Sequence, residues 1–463
     1  MFAALALVLV SAVCAANADA SPNALHYRPE TGVLGDTIPF YWDGTYHVYY
    51  LKGSGWGHIA GRNLVHWEQR PDALAKGSDR LSPDGENCWT GSIVEHGGIF
   101  HLFYTGKNSA DPKGDQKVMH ATSPDLDAWT KQPEDTFYAD GIIYWSKPVN
   151  GAIDDKLIYH HQAFRDPEVS WNRHEGRWQL LLHAALADGS SPAIARYTSD
   201  DLVHWSPCKP LLVCPTTLSC DCPHLFETNG RWYLIAADRH YTWAAPPAEP
   251  FFTRMLPYDC GELFVPKTMF DGKQRILLGW IGDREGGRDS GQGRWGGVMC
   301  MPRDLYADAQ GRLCQRPARQ VLDAYGKTVL SLPEGPPLGR EMDVPSDYLL
   351  HCRLKAVTPT ETAQISFRAN AATPSSGYRL KIGFTDKKIT LGDPYRAYER
   401  FCDFDPGAPM DVKAFVEDTV IECFVNDAWC FTMRANDARG GSLRIDAPAG
   451  ALRFQSFSVK TRQ

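Results

Sequence analysis

The 463-residue sequence predicts an all-β protein: a five-bladed β-propeller over residues 21–320, followed by a C-terminal β-sandwich over 341–463. Length alone exceeds what one core supports, so two packed units are expected. Two observations carry the rest. Asp43-Gly44, Gly97-Gly98, Glu175-Gly176, Asn229-Gly230 and Asp271-Gly272 each introduce a run of aromatic and aliphatic residues; such pairs are hairpin signals, because tight two-residue turns need positive φ. The second glycines stand 54, 78, 54 and 42 residues apart, about the length of a four-stranded blade with its loops. The chain is also rich in rings, with 14 Trp, 19 Tyr and 20 Phe, which favour strands and offer flat platforms to sugars.

Residues 1–20, an apolar run ending in Ala18-Asp19-Ala20, read as a secretory signal peptide. Removing it also removes Cys14 and leaves twelve of the 13 cysteines, a number compatible with disulfides in an oxidising compartment. Nothing later reaches the length of a membrane span. A second motif follows the first three hairpins, as Asn63-Leu64-Val65-His66-Trp67, Asp125-Leu126-Asp127-Ala128-Trp129 and Asp201-Leu202-Val203-His204-Trp205. Residues 321–340, with Leu330–Pro337 rich in Pro and Gly, are expected to be a linker. Beyond it, Val416–Asp427 and Ala451–Val459 alternate with the period of two that marks half-buried strands. With 48 Lys+Arg against 55 Asp+Glu, a net charge of −7 and no basic tract, nucleic acid is excluded as a partner.

Blades begin with an inner strand beside the axis, so residues at matched offsets before each turn should converge. Eight to ten residues before the five glycines stand Asp36, Trp89, Asp166, Asp221 and Glu262. Clustered carboxylates repel and separate in pKa, so that one stays protonated while another is ionised, as glycoside cleavage requires. Asp36, Asp166 and Asp221 should therefore share the floor of one small acidic funnel, with Trp89 beside them and Arg165 in reach.

Quoted together, Gly35-Asp36 before Pro39–Gly44, Trp56-Gly57-His58, Trp89-Thr90-Gly91-Ser92, Phe164-Arg165-Asp166-Pro167, Asp221-Cys222-Pro223, the stretch Gly261–Trp280 and Val416–Asn426 resemble glycoside hydrolase family 32, the invertases and fructan-active enzymes. The resemblance covers nearly all of residues 21–463. It implies a retaining mechanism with Asp36 as nucleophile, Asp221 as acid/base and Asp166 with Arg165 on the fructose hydroxyls. It also implies a pocket of Trp56, Trp89 and Thr90, with Glu262 binding substrate, and neither metal nor organic cofactor. Cys220 and Cys222 are too close for a zinc-binding pair and read as structural. Two segments depart from the family: Gly35-Asp36-Thr37-Ile38-Pro39 stands for Asn-Asp-Pro-Asn-Gly, and Asp221-Cys222-Pro223 for Glu-Cys-Pro. Glu227 and Glu262 are alternative acids.

The function expected is secreted hydrolysis of β-D-fructofuranosides, sucrose or short fructans. The competing readings are an inverting arabinofuranosidase-like propeller enzyme and a carbohydrate-binding relative that has lost turnover. The partner is a small carbohydrate in each case.

Overall fold

The computed structural model describes residues 25–463 except 152–162, 215–219, 237–239, 245–255, 337–338, 358–361, 371–376 and 449. The expected signal peptide lies outside the described residues.

The fold is all-β. Five antiparallel sheets follow one another in chain order, and the first four have four strands each, every strand pairing with the next in sequence. Their first strands are Thr37–Trp42, Asn87–His96, Phe164–Asn172 and His224–Thr228. Sheet five starts at Leu263–Phe270 and has five strands, because Gly293–Met299 and Arg303–Ala307 both pair with Arg275–Arg284. The predicted turns close the first hairpins: Asp43 and Gly44, and likewise Asn229 and Gly230, have positive φ. The second motif is a repeated turn in which Asn63, Asp125 and Asp201 accept backbone N–H bonds through Oδ1 from residues two and three further on.

The inner segments are tied from sheet to sheet. Thr90 of sheet two donates to Asp36, before sheet one; Val169 N of sheet three donates to Ser92 Oγ of sheet two at 2.8 Å. Cys222 N, entering sheet four, donates to Asp166 Oδ2 at 3.1 Å. His224 meets Thr268 Oγ1 of sheet five at 2.7 Å, and Trp280 Nε1 of sheet five donates back to Asp36 Oδ1 at 2.8 Å.

A seven-stranded and a six-stranded sheet make up the C-terminal unit, and their facing residues, among them Leu350, Phe367, Ile382, Phe431 and Phe454, form one buried cluster. Two boundaries differ from expectation. Lys327–Leu332, inside the expected linker, is an edge strand paired with Leu452–Thr461, since its backbone groups complete a ladder rather than face water. Cys260-Gly261 pairs in parallel with Phe431-Thr432, so the larger sheet reaches into the sequence of the first unit.

A second cluster joins sheets one and five to the C-terminal unit through Tyr46, Val48, Ile276, Leu278, Phe415 and Phe424. Charged groups cross the same junction. Fully buried Arg303 donates to Glu422 Oε2 at 2.9 and 2.6 Å and to Asp259 Oδ2 at 2.7 Å. His26 bridges Glu417 and Glu422 at 2.9 and 3.0 Å. Burial alone would lower the His26 pKa, but the two carboxylates outweigh it and raise it to about 9. Of the cysteines, Cys214 and Cys220 are joined by a disulfide, and most of the others described are buried. The even count thus reflects burial of single thiols more than pairing.

Candidate active site

Sheet two aims Thr90 at Asp36 by an irregularity. Trp89 pairs with Thr105 and Gly91 with Tyr104, so Thr90 is the extra residue of a bulge, a device that re-aims a side chain. Gly91 is required there, since a Cβ would lie 1.8 Å from Phe103 O. Its carbonyl accepts a bond from Lys267 Nζ at 2.9 Å.

Asp36 is buried, with Thr90 and Trp280 donating to its two oxygens and Cys222 Sγ 3.8 Å from Oδ2. Burial raises its pKa, the Thr90 and Trp280 hydrogen bonds and the Lys267 charge oppose that rise, and the Asp221 charge adds to it. Trp280 stacks on Phe264, with centroids 4.7 Å apart, and lies 5.9 Å from Trp295. Trp295, half exposed, packs on Gly35, where a Cβ would come within 2.3 Å of its ring. This accounts physically for Gly35: the volume that an Asn side chain would need is filled by an indole.

Asp166 sits at φ 63°, a left-handed conformation that Asp and Asn tolerate better than most residues. Its N–H donates to Thr105 Oγ1 at 2.7 Å. Burial raises its pKa to about 7; Arg165 opposes the rise, and the charges of Asp221 and Asp36 reinforce it. Arg165 donates to Asp221 Oδ1 through Nε at 3.0 Å and Nη2 at 2.5 Å, and His183 Nδ1 shares that oxygen. Asp221 follows Cys220 of the disulfide and precedes Cys222, itself at φ 49°. The three carboxyl groups therefore come from the entries to sheets one, three and four and feel one another's charge.

Other expected residues fall elsewhere. Trp56 is fully buried and donates its N–H to Trp89 O at 3.2 Å, so it supports the chain at Trp89 and does not line a pocket; Trp89 itself is half-buried. Glu262 stands apart from the cluster. It pairs with Arg284 and accepts Arg434 N at 2.6 Å, because the parallel pairing of Cys260-Gly261 draws it to the C-terminal unit. Glu227 faces outward against Arg173 and His174. Neither has Asp36, Asp166 or Asp221 among its hydrogen-bond partners in the described residues. Trp280, His183, Gln116 and Lys267 were not anticipated; Gln116 Oε1 accepts Phe164 N at 3.0 Å and Arg165 Nη1 at 3.3 Å. Among the described residues no group of three or more His, Cys, Asp or Glu is placed to hold a metal, and no helix is long and apolar enough to cross a membrane.

Residues 26–317 match the glycosyl hydrolases family 32 N-terminal domain, and the chain belongs to that family. It is 27% identical over 354 residues to a cell wall isozyme of beta-fructofuranosidase from Zea mays, covering 66% of this chain and 56% of that protein. It is also 27% identical over 344 residues to the sucrose-6-phosphate hydrolase of Bacillus subtilis, covering 66% and 67%. The chain thus spans little more than half of its plant relative. In fold it is similar to fructan 1-exohydrolase IIa from Cichorium intybus, with a TM-score of 0.76, 19% identity and coverage of 95% and 96% of the two chains.

Proposed function

We propose that the protein hydrolyses terminal β-D-fructofuranosyl groups of sucrose or short fructans with retention. The observation that carries this reading is the meeting of Asp36, Asp166 and Asp221 in one charge-coupled cluster. Asp36, oriented at both oxygens, attacks the anomeric carbon and forms a fructosyl ester, while Asp221 protonates the departing oxygen and then takes a proton from the incoming water. Asp166 and Arg165 hold sugar hydroxyls as positive charge develops on the ring. No metal or organic cofactor takes part in this scheme.

The five sheets are the blades of a five-bladed propeller and the two larger sheets a β-sandwich. The chain of hydrogen bonds that runs through all five sheets and returns to Asp36 supports this, as does the likeness in fold. Export is supported by the character of residues 1–20 and by the cell wall relative. A second reading, sugar binding without turnover, draws on the hold that Arg165 and His183 keep on Asp221. Incubation with sucrose and inulin, with sugar analysis beside a binding titration, separates the two: released fructose supports hydrolysis, and saturable binding without product supports the second reading.

A further inference from the structure

A cavity of about 600 Å³ opens between sheets three and four at their turn end, lined by residues of the Asn172–His174 and Thr228–Gly230 turns and by Arg275. Asp36, Asp166 and Asp221 stand at the opposite ends of their strands and are not in its lining.

Arg275 has an unusual environment for a guanidinium. It lies over Phe226 at 4.5 Å and near Phe270 at 5.6 Å from the ring centroids. It donates one hydrogen bond, Nη1 to Thr268 Oγ1 at 2.9 Å, and forms no ion pair among the described residues. The carboxylate in its vicinity, Glu168, is already engaged by Lys267 at 2.7 Å and His224 at 2.7 Å. Across the cavity Glu227 is occupied by Arg173 and His174. With Glu168 and Glu227 so engaged, Arg275 is left without an ion pair of its own among the described residues. Burial of a charge without a counter-ion is costly; consistently, burial lowers the Arg275 pKa to about 10. The half-exposed indole of Trp171 stands in the same lining.

We propose that this cavity is a binding site for a small anion bearing a phosphate or carboxylate group, with Arg275 as its charged ligand. A guanidinium presents paired donors that match both anions, and the volume admits a sugar-sized molecule carrying the charge. The site is separate from the proposed chemistry.

Calorimetric titration of the full chain with inorganic phosphate, glucuronate and neutral glucose tests this. Saturable binding of phosphate or glucuronate at one site per chain is expected, weakened at least tenfold in Arg275→Gln, retained in Arg275→Lys, and unchanged in Asp36→Asn. Phosphate binding as tightly as glucuronate would show that the anion alone is read; tighter glucuronate would show that the ring contributes. Absence of saturable binding of either anion, equal binding in Arg275→Gln, or glucose binding as tightly as glucuronate would overturn the proposal. Arg275→Lys, which keeps a cation at this position, serves as the control independent of how Arg275→Gln folds: loss of phosphate binding in a folded Arg275→Lys would also overturn the proposal.

Discussion

Trp280 donates its indole N–H to Oδ1 of Asp36 at 2.8 Å across 244 residues of sequence. With Thr90 on the other oxygen, the carboxylate plane is set by two sheets at once, and a nucleophile needs such orientation. In Trp280→Phe the bond is lost together with part of the ring that stacks on Phe264. We predict kcat/KM on sucrose down by about 10- to 100-fold, mainly in kcat, with a lowered thermal midpoint from the lost buried volume; steady-state kinetics beside a melting curve checks this.

Asp166→Asn separates activity from stability. Asn tolerates φ 63° and still offers an acceptor to Cys222 N, but it cannot hold charge. The native pKa of about 7 lies above the 3.8 usual for an aspartate because burial and the neighbouring carboxylates disfavour ionisation. The folded state therefore binds the proton more tightly, and the wild type loses stability as pH rises between about 4 and 7. The variant should melt higher than wild type at pH 8, with the gap closing towards pH 4, while kcat falls on the order of 10²-fold or more. Equal melting temperatures at both pH values would contradict the cause assigned to the shift.

Asp221→Ala should abolish sucrose turnover, whose leaving oxygen needs a proton, yet spare much more activity on an aryl fructoside with a good leaving group. Comparison of the two substrates in one variant measures the acid role directly. A variant equally impaired on both would limit Asp221 to holding Arg165 and His183.

His26 links the start of the described chain to the C-terminal unit. Its folded pKa of about 9 exceeds 6.5 because the carboxylates of Glu417 and Glu422 outweigh the effect of burial. The stability it contributes is present in full below about 6.5 and is lost as pH rises through 9. The wild-type melting temperature should decline across that window, and His26→Gln should flatten the decline. A His26→Gln curve parallel to wild type would contradict this linkage.

How far the sequence reaches is visible in particular residues. The Asp43-Gly44 and Asn229-Gly230 turns announce themselves because few residues adopt positive φ, and the offsets from such turns place Asp36, Asp166 and Asp221 together. The same count fails for Glu262, since the parallel pairing of Cys260-Gly261 with a strand some 170 residues later leaves no local trace. His183 lies opposite Arg165 only because the ladder slips between Leu181 and His183, and a bulge carries no sequence signal that simple alternation reveals. Trp280 belongs to a second strand, outside the inner-strand count. Trp56, a pocket residue by the family resemblance, is fully buried and serves packing, which a resemblance in motif does not reveal.

The central claim is that Asp36 forms a covalent fructosyl ester. In Asp221→Ala, an aryl fructoside should load the enzyme faster than water unloads it, so the intermediate accumulates. Mass spectrometry of the intact variant, followed by peptide mapping, is the direct measurement. The account predicts a mass increase of one fructosyl group located on the peptide carrying Asp36. A fructosyl group on a different carboxylate, or turnover that releases product of inverted configuration with no adduct, would contradict it.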